Sequence, residues 1–272
     1  MRIAACVILY HPDVELLLKN VSAFIDDVEI LIVYRNSVEQ IDFPKAYYHK
    51  LVFMGSGKNH YMAHALNECL AYCRRHRFDY LLTMDQDSVW EDFHGFVNKV
   101  GAYPSDDVVI FAPNVNHALP ETEPYREVES TITSGSLHRV ELALRSGGYK
   151  DYYQIYWVDG EFCHRARHTG YKILALPSCH LQQRFGGSDC KSDRVNRGFF
   201  CADYSPSTYY FMFRNMLFMR REWKENPSIK CIFYTLFLYL RSIILGEENK
   251  MAKLRSVFLG LRDGATMTLP KL

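Results

Sequence analysis

Tyr80-Leu81-Leu82-Thr83-Met84-Asp85-Gln86-Asp87-Ser88 decides the reading of this chain. The run from Tyr80 to Met84 is mostly apolar and free of Gly and Pro, which predicts a strand buried on both faces. It ends in two carboxylates two residues apart. In open α/β sheets, ligands bind outside the carboxyl ends of the strands. Mg²⁺ and Mn²⁺ prefer oxygen ligands; Mg²⁺ takes one or two carboxylates and completes its shell with water and phosphate oxygens. Asp85 and Asp87 therefore suit a divalent cation held against a diphosphate. A solvated loop that happens to carry Asp-x-Asp is the competing reading, and the rest of the chain weighs between them.

Working outward, the first half alternates strand and helix. Ile3 to Tyr10 is a near-continuous apolar run broken by His11-Pro12-Asp13. Leu16, Leu17, Val21 and Phe24 follow at helical spacing. Ile30 to Tyr34 and Leu51 to Phe53 read as further strands, the latter closed by Gly55-Ser56-Gly57. Met62, Leu66, Cys69, Leu70 and Cys73 share a helix face, and Arg74, Arg75 and Arg77 complement the dipole at its end. Tyr80 to Met84 and Val108 to Ala112 complete a βαβαβ order, which predicts a mostly parallel sheet with right-handed crossovers. Beyond it, Thr131 to Ser136 reads as a strand entering a tight turn. Phe162 to His168 reads as a helix stopped by Gly170, and Lys172 to Leu176 as a strand ended by Pro177. Residues 184–200 are polar, with Gly186, Gly187, Ser188 and Gly198, and read as a mobile loop. From Tyr209 to about Leu261 the pattern is helical.

Composition narrows the function. The 272 residues make one large domain or two small ones. The balance of 32 Lys+Arg against 31 Asp+Glu lacks the basic excess of a nucleic-acid binder. Aromatic residues, 14% of the chain, suit sugar stacking or aromatic-rich surfaces. There are eight Cys and no C-x-x-C pair, so neither a zinc ribbon nor a thioredoxin-type site is indicated, and a reduced, cytoplasmic setting follows. Ile3 to Leu9 is too short to span a bilayer or to act as a secretory signal.

In their order these residues resemble the family-two inverting GT-A glycosyltransferases, rhamnosyltransferase-like branch. The resemblance runs over roughly residues 3–215. Leu9-Tyr10-His11-Pro12 matches the family's first strand and turn. Asn59, Met62, Ala63, Ala65, Leu66 and Asn67 match its Asn-x-Gly-Ile-Ala-x-Ala-Leu-Asn helix entry, and Asp85-Gln86-Asp87-Ser88 its metal motif. Thr133-Ser134-Gly135-Ser136 matches an acceptor-side turn. Asp159-Gly160-Glu161-Phe162-Cys163-His164-Arg165 and Gly170-Tyr171-Lys172-Ile173 match the base-bearing helix, and Tyr209-Tyr210 with Arg214-Asn215 a late signature. Two positions depart from the pattern. Tyr34 stands where the family's second strand carries the Asp that helps read the nucleotide base, leaving Asn36 or stacking on Tyr34 for that task. Tyr61 replaces the Gly of the helix entry.

The resemblance implies a GT-A (nucleotide-diphospho-sugar transferase) fold with a mostly parallel central sheet and a C-terminal helical extension. The catalytic domain would span 1–205, with a nucleotide-sugar half over 1–112 and an acceptor half over 113–205, and the extension 206–272. It implies Mg²⁺ or Mn²⁺, a nucleoside-diphosphate sugar donor, and transfer of rhamnose or a similar hexose to a glycan or lipid-linked acceptor in bacterial surface polysaccharide synthesis. Asp87 would hold the metal, and Asp85 the donor ribose or a metal water. Asp159 would be the base. Tyr10, Asn36, Asn59 and Asn67 would line the donor site. His180 is a further metal ligand, a diphosphate contact or an ordinary His, and Arg184 a diphosphate partner or a solvated loop residue. Glu161 would orient the acceptor or hold its helix start, Trp157 would stack on the acceptor sugar or pack in the core, and Arg214 would sit at the rim.

Other motifs weigh less. His60 and His64 sit at i, i+4, but Tyr61 occupies the place of the Glu in a His-Glu-x-x-His zinc site. Gly55-Ser56-Gly57-Lys58 lacks Walker spacing. A nucleotidyltransferase needs a Gly-rich basic loop after the first strand, where this chain has Tyr10-His11-Pro12-Asp13. A sugar-binding protein with a decayed site is the non-enzyme reading, motivated by Tyr34 and Tyr61. Ile229 to Leu245 is the nearest approach to a membrane span, interrupted by Lys230 and Arg241. It reads either as an interfacial helix at the inner face of the cell membrane or as a helix packed on the catalytic domain or in a homo-oligomer interface.

Overall fold

The computed structural model describes residues 1–184, 201–224 and 226–270. The loop expected over 184–200 therefore lies, from 185 onward, outside the described residues. The chain divides into two compact units. Met1–Gln154 and Val158–Arg184 form the first; Ile155–Trp157 join the residues from Cys201 onward in the second.

The first unit is built on a nine-stranded sheet. β1 (Ile3–Leu9), β2 (Ile30–Arg35), β3 (Leu51–Met54) and β4 (Tyr80–Met84) lie in the order β3-β2-β1-β4 and pair in parallel. All five residues of β4 are buried, as its apolar composition requires. α1 (Val14–Ser22) follows β1, with Asp13 accepting the Leu16 N–H as its N-cap at 3.2 Å. α2 (Tyr61–Arg75) precedes β4 and buries Leu66, Cys69, Leu70 and Cys73 of the face read from the sequence, together with Ala63, while Met62 is half-buried. The strand order reverses at β1: successive connections move outward to β3, then return across β1 to β4. The crevice at such a reversal is the usual ligand site of open α/β sheets. Tyr10 leaves β1 there and Asp85 leaves β4 there.

The remaining strands extend this frame. β5 (Val89–Trp90), β6 (Val108–Val115), β7 (Arg126–Glu127), β8 (Ser136–Arg139) and β9 (Lys172–Gln182) complete the sheet. β8 runs antiparallel between β4 and β6, so the sheet is mixed beyond its parallel half. The strand expected over Thr131–Ser136 instead begins at Ser136, after a turn at Gly135 with φ 74°. β9 also differs from expectation. It pairs in parallel with β6 and continues through Pro177 to Gln182. Its register steps from Leu176 to His180 while β6 steps only from Pro113 to Asn114. This bulge takes up Pro177, whose missing N–H would interrupt a regular ladder. α3 (Phe93–Ala102), α4 (Val140–Arg145) and α5 (Val158–His168) complete the unit. Trp90, Phe24, Phe93 and Phe96 form an aromatic group in its core.

The second unit holds α6 (Pro206–Glu222), α7 (Ile229–Gly246) and α8 (Lys250–Thr266). The helical stretch expected from Tyr209 is thus three helices. The N–H of Thr208 bonds the Ser205 hydroxyl, and that of Cys231 the Ser228 hydroxyl, capping the first two. Buried Glu247 accepts from Tyr209 Oη at 2.6 Å and Lys253 Nζ at 2.8 Å. α8 meets α6 at Gly260 and Gly264. A Cβ on Gly264 would stand 2.7 Å from the Arg214 carbonyl oxygen, and one on Gly260 2.5 Å from that of Tyr210. Backbone cannot yield as a flexible side chain does. Gly264→Ala gains about 1 kcal/mol of helix propensity but overpacks this crossing, which costs about 1–3 kcal/mol. The variant is expected to melt below wild type in calorimetry; a higher melting temperature would show that the close crossing is absent.

Candidate active site

The end of β4 is tied down on all sides. The side-chain oxygen of Gln86 accepts the Tyr10 N–H at 2.9 Å and its amide donates to the Tyr10 carbonyl at 3.0 Å. This pair of hydrogen bonds fixes the end of β1 to the acidic turn. Buried Asn20 donates to the Asp85 carbonyl at 2.7 Å. The Asp85 N–H bonds Ser134 Oγ at 3.1 Å, and Ser134 Oγ lies 2.6 Å from Ser88 Oγ. Gln183, just past β9, bonds Ser88 and reaches Asp85 Oδ2 through its amide at 3.3 Å. The backbone of the turn is therefore held while the charge of Asp87 bears on Asp85.

That arrangement is electrostatically costly. Asp85 and Asp159 keep partial solvent contact, yet burial is the largest cause of their raised pKa values. Asp85 is pushed up to about 7, first by burial, then by the charges of Asp87 and Asp159. Asp87 is raised by burial and pulled back by its own backbone N–H and by Arg184. Asp159 opens α5, and its Oδ1 accepts the Gly160 N–H at 2.8 Å. A cluster of carboxylates with raised proton affinity fits a divalent cation, which would relieve the same field that a proton relieves. Asp85 and Asp87 are oxygen donors of the type Mg²⁺ and Mn²⁺ take.

Other residues expected here do different work. Asn36 is 3% exposed; its side chain accepts the His60 N–H and donates to the Tyr61 carbonyl, both at 3.1 Å. Asn59 Oδ1 accepts the Tyr61 N–H at 2.8 Å. Together they hold Tyr61 at φ 62°, a left-handed conformation that glycine adopts freely and a tyrosine does not. The family's Gly at this place has that physical reason, and the two Asn side chains stabilise its replacement. Asn67 clamps Tyr149, exchanging two bonds of 2.7 Å with its backbone, and bonds Asp151. Tyr34 is buried at 1% exposure with its hydroxyl on Glu68, so it offers no face for base stacking. Tyr10 is half exposed beside the acidic turn, where a donor is expected.

Three expected acceptor residues are engaged elsewhere. Glu161 is fully buried between Lys150 and Arg165, each at 2.9 Å, and Arg165 also bonds the Gly148 carbonyl. Its place in the first turn of α5 is structural. In the second unit, Arg214 is 5% exposed, with its guanidinium 4.8–5.5 Å from the rings of Tyr210, Phe211 and Phe218. It bonds Asn215, which donates to the carbonyls of Ile155 and Tyr156 at 2.7 and 2.9 Å. Trp157 packs against the hydrophobic cluster of that unit. His180 lies with His117 and Glu121 rather than with the aspartates. The residues that sequence reasoning missed are Gln86 and Gln183. Gln86 lay inside the motif itself; Gln183 was hidden because Pro177 was read as the end of its strand.

A cleft of about 230 Å³ opens at the ends of β1, β2 and β3. Leu9, Val33, Arg35, Glu39, Asp42 and Phe53 line it.

No protein-family model matches the chain. It is 22% identical to the dTDP-rhamnosyl transferase RfbF of Shigella flexneri over 292 residues, covering 97% of this chain and 95% of that one. Among solved structures it is similar to the mannosyltransferase PcManGT from Pyrobaculum calidifontis in complex with GDP-Man and Mn²⁺, with TM-score 0.58, 14% identity and coverage of 99% and 76% of the two chains. It is similar to residues 1–349 of TarS from S. aureus in complex with UDP-GlcNAc, with TM-score 0.57, 13% identity and coverage of 97% and 80%. GalNAc-T7 with UDP, GalNAc and Mn²⁺ gives TM-score 0.64 at 9% identity, 98% of this chain spanning 56% of that one.

Stability should register the field at Asp85. Its pKa is raised, so the folded state binds more protons than the unfolded state between the ordinary carboxylate value and about 7. The charged form is therefore destabilising, fully so above that window. Asp85→Asn is expected to raise the melting temperature of metal-free protein at about pH 8, with the gain shrinking toward about pH 5. A gain independent of pH would remove the charge from the account. The fold that carries this site is the GT-A fold of nucleotide-sugar transferases, and the chain that builds it resembles a rhamnosyl transferase over nearly its whole length.

Proposed function

We propose that this chain is an inverting, divalent-cation-dependent glycosyltransferase that takes a deoxyhexose, with rhamnose as first choice, from a nucleoside diphosphate. The observation that carries this reading is the convergence of Asp85, Asp87 and Asp159 at the β1/β4 crevice, with all three proton affinities raised by burial and that of Asp85 also by the charges of the other two. The likeness to RfbF supports the choice of sugar, and the Mn²⁺ held by two structural relatives supports the cation.

Asp87 and Asp85 would hold Mg²⁺ or Mn²⁺, with the Gln183 amide donating to Asp85 beside them. When bound, the ion neutralises charge on the departing diphosphate. Tyr10 would stack against the donor, and Arg184 would pair with diphosphate oxygens, for which an arginine fork is suited. The cleft lined by Arg35, Glu39 and Asp42 offers polar groups for reading the base. Asp159 would accept the proton of the attacking acceptor hydroxyl. Its raised pKa makes it a better base than an exposed carboxylate, and the Gly160 N–H fixes its orientation. Substrate alignment at the anomeric carbon is then the work of the rigid turn at Asp85 to Ser88.

Thermal-shift titration with dTDP, UDP and GDP, with and without Mn²⁺, tests the donor site. Metal-dependent stabilisation is expected in wild type and in Asp159→Asn, and is expected to be lost in Asp87→Ala. In a transfer assay, Asp159→Asn should lower kcat about 10²–10⁴-fold. No nucleotide shift in wild type would sink the reading and leave a decayed sugar-binding protein.

We further propose a lipid-linked acceptor met at the inner face of a membrane, with the remaining helices as the docking element. α7 is long and apolar enough to cross a membrane by length and composition, and 11% of it is buried. Ile229, Phe233, Tyr234, Phe237 and Leu245 are exposed on it at 57–66%. Lys230, Arg241 and Lys250 accompany that surface, a pairing that suits anionic headgroups. Cosedimentation with anionic vesicles at low salt, weakened by the pair Phe233→Ser and Phe237→Ser, is the expected result. Failure to sediment, with a concentration-dependent dimer instead, would assign the face to a second copy.

A further inference from the structure

We propose that His117, Glu121 and His180 form a zinc-binding site in the first unit, separate from the Asp85/Asp87 pair. One ligand atom from each of the three lies within 4.8 Å of the other two. The imidazoles of His117 and His180 stack at 4.0 Å between centroids and 27° between planes. His180 Nε2 stands 3.1 Å from Glu121 Oε1, and His117 Nε2 stands 3.5 Å from Glu91 Oε1. His180 Nδ1 is buried and has no hydrogen-bond partner among the described residues.

The scaffold under these side chains is specific. The β9 bulge advances the strand from Leu176 to His180 across a single step of β6 and so sets where the imidazole emerges. Fully buried Asn114 donates to the carbonyls of Leu119 and Pro177 at 2.8 and 2.7 Å and accepts the Leu119 N–H at 2.9 Å. It thereby binds the turn that carries His117 to the bulge that precedes His180. Asn116 and His117 both hold left-handed backbone, φ 50° and 55°. Asn116 in turn exchanges bonds of 2.9 Å with the backbone of Gln183.

Two imidazoles with carboxylates are a ligand set for zinc, whereas Mg²⁺ and Mn²⁺ favour all-oxygen sites. With bonds of about 2.0–2.2 Å, zinc needs its ligand atoms to close to roughly 3.5 Å of one another. His117 and Glu121 side chains are 59% and 52% exposed and have the freedom to do so. Glu91 is placed to bond His117 or to become a fourth ligand. Zinc here would lock the Asn116–His117 turn to β9, three residues upstream of the glutamine that touches Asp85.

Metal-stripped full-length protein is titrated with Zn²⁺, and separately with Mn²⁺, by calorimetry and thermal shift. One equivalent of Zn²⁺ is expected to bind and stabilise wild type and Asp87→Ala alike. His117→Asn, which tolerates the left-handed backbone, and Glu121→Gln should each weaken Zn²⁺ at least tenfold while melting as wild type does in chelator. Equal zinc affinity in wild type and both variants, or no zinc binding by wild type, would overturn the site. Retention in Asp87→Ala separates this result from the fate of the transferase reading.

Discussion

Charge left uncompensated at the end of a strand is the constraint on which the rest of this molecule turns. β4 delivers Asp85 into the crevice where the sheet order reverses, and protein around it pushes its carboxyl up to about 7. A fold optimised for stability alone would place an amide there. The surrounding structure instead directs its hydrogen bonds to backbone: Asn20, Ser134 and Gln86 hold main-chain atoms of Asp85 and Tyr10. The carboxylates are left to repel one another, as expected where a ligand supplies the missing positive charge. Among the described residues, buried charge elsewhere is paired, as two acids illustrate. Glu161 has Lys150 and Arg165, and Glu247 has Lys253. The contrast within one molecule separates charges that are paired inside the fold from the acidic group at the end of β4.

Much of the fold was legible because periodicity is a direct record of burial. The runs of β1, β2 and β4 and the apolar face of α2 are read correctly from spacing alone. The acidic turn was legible too, since two carboxylates at the end of a buried strand stand where open α/β sheets bind their ligands. What spacing could not show is where a polar side chain places its hydrogen bonds. Asn36, Asn59 and Asn67 lie in motifs that resemble donor-binding positions, yet each holds backbone. Glu161 and Arg214 are charged residues in a chain stretch near the expected acceptor side, and both are buried in structural networks. Burial of a charged residue depends on partners distant in sequence, and a single sequence does not display them. The reach of β9 was missed for a local reason: proline ends most ladders, but a bulge lets it sit within one.

The departures from the family pattern acquire physical meaning in this light. Tyr61 keeps the left-handed backbone that a glycine would adopt without strain, and Asn36 and Asn59 bond the groups around it. Tyr34 fills the space under α2 and bonds Glu68. Both belong to the network around α2 and not to the lining of the cleft at the ends of β1, β2 and β3.

The bulge in β9 also acts as a phase shifter. Before it, partners on β9 and β6 differ by 63 in residue number (Leu176 and Pro113); after it, they differ by 66 (His180 and Asn114). The difference, three, is odd, and side chains alternate faces with period two. Everything after Cys179 therefore points to the face opposite to the one an unbroken strand would give it. Leu181 is thereby available to the core, and His180 to the other side. A lineage that lost one residue from Pro177–Cys179 would exchange those two faces at once, so this short stretch tolerates substitution far better than a change in length.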